Sequence, residues 1–148
     1  MATPNPKTIT SANAVFLLGV TNLYSTPVQL QGFATDAMFM TESADQAETY
    51  LGVDGIMSAG WIPQMYEQTI TFQANSASIA IFDNWRLQQN AMQELFNAFA
   101  TISITGTGNK YSLSNGVLKS ATVIPEAAKT LRPRAFKITW NTITVANQ

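Results

Sequence analysis

Neither cysteine nor histidine occurs in the 148 residues. The absence of thiols excludes disulfides, thiolate nucleophiles and Cys/His zinc sites. The absence of histidine removes the commonest general base, so any catalysis would fall to carboxylates, lysine or tyrosine. Charge is scarce too: Asp, Glu, Lys and Arg make up 11% of the chain, under half the usual share. No apolar run approaches the roughly 20 residues that a membrane-crossing helix needs. The opening MATPNPKTIT has no apolar core of the kind a secretory signal carries, so cytosolic synthesis is expected.

Uncharged polar residues fill the gap. Thr, Ser, Asn and Gln account for 49 of 148 residues, beside a hydrophobic share of 46% that can build a core. The length suits one domain over 1–148. A surface so poor in charge is weakly protected against self-association. It suits a subunit covered by copies of itself, and a monomeric Thr-rich β-domain fits the composition equally well. The charges are also segregated. Residues 36–94 hold eight carboxylates and one base, Arg86, a net of −7, whereas 95–148 carry a net of +5. Opposite signs on different segments can attract neighbouring copies and set register, unless folding interleaves them.

Along the chain, 1–12 with two prolines reads as an extended arm. NAVFLLGV (13–20) is long enough for a strand. TNLYSTP (21–27) is turn material. PVQLQGFATDAMFM (27–40) alternates Val28, Leu30, Gly32 and Ala34 against Gln29, Gln31, Phe33 and Thr35, the period of a strand. Residues 41–65 break the pattern, allow a short helical turn capped by Thr41 or Ser43, and contain the Asp54-Gly55 turn signal. So long an excursion inside one domain is commonly functional. YEQTITFQAN (66–75) sets Tyr66, Gln68, Ile70 and Phe72 on one face. Ser76 or Ser78 then caps a helix running to about residue 99, with Ile79, Phe82, Trp85, Met92, Leu95, Phe96 and Phe99 at helical spacing. Strands follow at 101–106, 116–124 and 135–145, the last with Phe136, Ile138 and Trp140 on one face. The sum is an α+β domain dominated by about six antiparallel strands, with one long helix.

TGTGNKYSLSNGVLK (105–119) has the glycines and lysine of a phosphate loop. Such a loop works at the N-terminus of a following helix. Here strand patterns flank it, and Gly106, Gly108 and Asn109 suit a hairpin turn. Glu42, Asp45 and Glu48 would share a face of a helix, where a solvated edge is a simpler reading than a metal site. RPR (132–134) with Lys129 and Lys137 is a basic cluster, but an isoelectric point near 5.2 argues against a nucleic-acid patch. No carboxylate pair stands apart as an acid/base couple. No catalytic, cofactor or metal residues are expected.

Taken together, GFATDAMFM (32–40), LGVDGIMSAGW (51–61), TITFQANSAS (69–78) leading into the helix, and RPRAFKITWNTI (132–143) resemble the bacteriophage tail tube proteins. The resemblance covers nearly the whole chain and rests on the order of short elements. It implies a β-sandwich or barrel flanked by one helix, in homohexameric rings stacked helically into a hollow tube in the virion tail. That tube would be assembled in the host cytoplasm, and DNA would pass through its lumen without specific binding. Sheath, tape measure, baseplate and tail terminator proteins are its implied partners. A pyocin-like or type VI secretion-like injection tube is the second reading. A carboxylate-dependent hydrolase on a β-sandwich is the third.

The resemblance and the patterning together give three expectations. Leu51, Ile56, Met57, Trp61 and Ile62 of the 41–65 loop stack rings, together with the 1–12 arm. The polar faces with Gln29, Gln31, Thr35, Glu67, Thr69, Thr71 and Gln73 line the lumen, because a cationic wall would hold DNA. Glu42, Asp45, Glu48 and Asp54 of one copy meet Lys129, Arg132, Arg134 and Lys137 of another.

Overall fold

A computed structural model describes residues 14–33, 39–104 and 107–147. Its elements are β1 (Ala14–Val20), β2 (Tyr24–Gln29), β3 (Phe39–Thr41), β4 (Ala47–Leu51), β5 (Met57–Trp61), β6 (Tyr66–Phe72), α1 (Ile79–Met92), β7 (Ala98–Ile104), β8 (Asn109–Ala121) and β9 (Arg134–Asn147). Seven strands form one antiparallel sheet in the order β2-β1-β7-β8-β9-β6-β3, and β4 pairs only with β5.

Alternation dictates which face is dry. Phe16, Leu18 and Val20 on β1, Ile70 and Phe72 on β6, and Phe136, Ile138 and Trp140 on β9 are all buried. Each large side chain removed from water contributes about 1.5–3 kcal/mol. The sheet curls around this face until its two margins meet: the Phe16 and Phe39 rings pack edge to face at 5.5 Å. Residues 30–33 stitch the closure. The Leu30 N–H donates to Phe16 O at 2.9 Å, and the Gln73 N–H donates to Gly32 O at 2.8 Å. The result is a barrel-like β layer with one helix, the fold class expected.

The helix plugs one mouth of this barrel. Ile79, Phe82, Trp85 and Gln89 share its buried stripe, and Phe82 stacks on Phe136 at 4.7 Å. α1 is shorter than expected. It ends at Met92, where Gln93 turns left-handed (φ 56°) and its N–H caps Gln89 O. At 14 residues it spans about 21 Å. Ser78 occupies the N-cap without a side-chain cap bond. Its Oγ accepts the Gln31 N–H instead, at 2.7 Å.

Other expectations are corrected. The strand over 27–40 is divided, and its first residues join 24–26, read as turn, in β2. Gly32 at φ 72° resets the alternation. Phe33, placed on the wet face by strict period two, therefore packs on Phe72 at 5.1 Å. Residues 41–65 hold no helical turn; they contain the β4–β5 hairpin, so Glu42, Asp45 and Glu48 share no helix face. β7 starts at Ala98, taking over residues assigned to the helix.

Residues 109–119 of the glycine-bearing stretch are strand, and β7 and β8 pair as a hairpin down to Ile104 and Asn109. Gly108 sits at φ 76° and its N–H donates to Ile104 O at 3.0 Å. Thr105 and Gly106 lie outside the described residues.

Candidate assembly interface

The hairpin is where the sequence pattern failed, because Gly, Ser and Ala supply little periodicity. Pairing gives it two unlike faces. Ala47 opposes Trp61, Thr49 opposes Ala59 and Leu51 opposes Met57 on one face. Glu48 and Tyr50 oppose Gly60 and Ser58 on the other, where the Tyr50 hydroxyl donates to Glu48 Oε1 at 2.6 Å. That bond is the main reason the Tyr50 pKa is raised. The Asp54-Gly55 turn forms as its residues suggest. Gly55 adopts φ 83° and Asp54 Oδ1 accepts the Ile56 N–H at 3.1 Å.

Every residue of β4 and β5 is exposed. Leu51 and Trp61 stand 76% and 73% accessible, with Ile56 and Met57 also open, while Ile62 is half-buried at the hairpin's base. Four of the five apolar residues expected to stack rings are therefore free within the chain, and three of them border one apolar face. The 1–12 arm lies outside the described residues.

The residues expected to line a lumen divide. Glu67, Thr69 and Thr71 lie on the face of the sheet away from the core, opposite Thr139, Lys137 and Ala135. Gln29 faces the same way beside Leu17. Gln31 and Gln73 lie past the strand ends near the start of α1, the former held by Ser78. Thr35 is outside the described residues.

The charge scheme is corrected at two positions. Arg134 is 7% exposed at its side chain and forms a bidentate pair with Asp83 on α1, at 2.8 and 3.2 Å. It also donates to the carbonyls of Thr122 and Val123, so it is committed inside the chain. Lys137 reaches Glu67 Oε2 at 3.7 Å, and Lys119 also pairs with Glu67. The Lys119 hydrogen bond is the largest cause holding the Glu67 carboxyl below its usual range. Basic residues thus share the face assigned to acid and hydroxyls, because Lys137 sits directly opposite Thr69. Arg132 is exposed and lies 3.8 Å from Glu126. Among the described residues, no cation pairs with Glu42, Asp45, Glu48 or Asp54, and no acid pairs with Lys129.

Opposite the helix-plugged mouth, the barrel interior is open. A cavity of about 430 Å³ lies there, lined by Phe39, Tyr66, Ile102, Ile104, Tyr111 and Ile143, with Glu42 and Ser43 at its rim. Sequence reading missed it, since a cavity depends on which strands stop short. β6 begins opposite Trp140, leaving the rest of β9 without that neighbour.

Residues 7–144 match a protein-family model described as "Tail fiber protein gp32". Among curated proteins, no sequence matches the chain. Three solved structures share the fold over almost the whole chain. One is from the anti-feeding prophage baseplate, with TM-score 0.64 and 9% identity over 99% of this chain and 98% of that one. A second is from the anti-feeding prophage tube-terminating cap, at 0.62 and 14% over 100% and 95%. A third is from the sheath–tube complex of an extracellular contractile injection system, at 0.61 and 12% over 90% and 88%.

Proposed function

Because the chain belongs to the tail fiber protein gp32 family, we propose that it is a structural subunit of a phage tail or tail-like injection particle. In this reading its copies assemble into rings that stack as a hollow tube. The carrying observation is the β4–β5 hairpin. Two strands alone are marginally stable in water, and an uncovered face bearing Leu51, Met57 and Trp61 costs free energy until another surface buries it. A chain with 11% charged residues offers a neighbouring copy a compatible surface. The fold shared with chains from sheath–tube, cap and baseplate assemblies supports the same reading. Hexameric rings, contacts with sheath, tape measure, baseplate and terminator proteins, and passage of DNA through the lumen are parts of this proposal.

The family description favours a second reading, a solid fibre. Electron microscopy of the purified chain separates the two. Rings or tubes with a central pore support the first, rods without a pore the second, and dispersed monomers sink both. The variant Leu51→Ser/Trp61→Ser should remain folded and stack poorly. If it polymerises like the wild-type chain, the hairpin is not the assembly surface.

A further inference from the structure

The β8–β9 unit carries two unlike apolar features at opposite ends. At one end is the open cavity of about 430 Å³. At the other, the loop 122–133 presents Val123, Ile124 and Leu131 to solvent, with Ile124 at 78% exposure. The loop is braced from within: Ala127 bridges Leu131, and the Arg132 N–H donates to Glu126 O at 2.9 Å. It is thus a shaped knob whose ordering cost is largely met before any contact.

We infer that the 122–133 loop of one copy enters the open barrel mouth of the next. The inference rests on the proposed assembly of copies and names the contact. A chain cannot fill its own socket, because Tyr111 in the cavity wall and Ala121 at the root of the loop lie roughly 30 Å apart along β8. Charge favours the same contact. The rim carries Glu42, with Asp45 and Glu48 following in the chain, while the knob carries Lys129 and Arg132 against a single acid, Glu126, which lies 3.8 Å from Arg132. Among the described residues Glu42, Asp45 and Glu48 have no cation within the chain. Opposite charges at the margin of an apolar contact fix its register more than its strength. Because socket and knob are different surfaces, the contact is heterologous. It closes into a ring or runs on as a stack, according to the rotation between copies.

The absence of cysteine makes the test clean. Ser43→Cys at the rim and Ile124→Cys on the knob are both exposed replacements. Assembled double-variant particles are treated with a short bismaleimide and run on a denaturing gel, beside each single variant. The expected result is a ladder of covalent oligomers in the double variant and nothing beyond dimer in the singles. A ladder stopping at a fixed size marks a contact around the ring, and a continuing one marks a contact between rings; either supports the inference. Particles that form normally but give no ladder overturn the inference while leaving the assembly reading intact. Failure of the wild-type chain to assemble overturns both.

Discussion

Arg134 and Asp83 form a two-pronged ion pair across 51 residues of sequence, Nη2 to Oδ1 at 2.8 Å and Nη1 to Oδ2 at 3.2 Å. The pair ties the helix that plugs the barrel to the start of β9. Removing one partner of a buried pair strands the other charge. Here Asp83 is about a third exposed and Arg134 keeps two backbone carbonyls, which softens the loss. Asp83→Ala should therefore cost about 1–3 kcal/mol in urea unfolding. A midpoint equal to wild type would mean that the pair contributes nothing.

A second buried link joins Trp140 to Gln68. The indole N–H donates to Gln68 Oε1 at 3.0 Å, and both residues are fully buried. Trp140→Phe should cost about 1–3 kcal/mol beyond its lost volume, because the amide oxygen is left unpaired in the core. In the Gln68→Met background that extra cost should vanish. A double-mutant cycle with zero coupling energy would count against it.

Two glycines separate by what stands over them. A Cβ at Gly116 would meet the Trp140 ring at 2.4 Å, and one at Gly19 would meet the Phe99 ring at 2.3 Å. Trp140 is locked in the core, whereas Phe99 is 37% exposed and can swing away. Gly116→Ala should lower the melting temperature clearly, at about 1–3 kcal/mol for overpacking, and Gly19→Ala much less. Equal losses would show that Phe99 is as fixed as Trp140.

Legibility in the sequence followed periodicity. β1 was readable because Val15 to Val20 is an apolar run of strand length, and β6 and β9 because Ile70, Phe136 and Trp140 fall on strict alternation. The helix stripe was readable for the same reason. Its end was not, because Leu95 and Phe96 continue helical spacing past a left-handed Gln93 that no pattern marks. The hairpin was hidden by small residues, although its exposed Leu51 and Trp61 were singled out as surface groups. Register-dependent features were out of reach: nothing local reveals that Lys137 will sit opposite Thr69, or that Asp83 will meet Arg134.

Glu67 makes stability respond to acid. Its pKa is lowered, chiefly by the Lys119 hydrogen bond, from an ordinary value of 4.5. A depressed carboxyl contributes stability that is fully present above its unfolded value and is lost as pH falls through the folded one. The stability gap between wild type and Glu67→Gln should be flat near neutrality and shrink below pH 4.5. A gap that widens on acidification would contradict the pairing.

The same triad bears on the channel wall. If the face bearing Glu67, Thr69 and Thr71 lines the lumen, Lys119 and Lys137 line it too, and Glu67 contacts both. DNA carries one negative charge per about 1.7 Å of axis, and cations on a wall would hold it by releasing counterions. The carboxylate then serves to mask two lysines in every copy, repeated around and along the tube. Glu67→Gln leaves the shape nearly unchanged and unmasks both. Assembled Glu67→Gln tubes should retain short duplex DNA at low salt, and the retention should fall steeply as salt rises; wild-type tubes should let it pass. Lys119→Gln added to that variant should weaken the salt dependence. Equal retention by wild-type and Glu67→Gln tubes at every salt concentration would place this face away from the lumen.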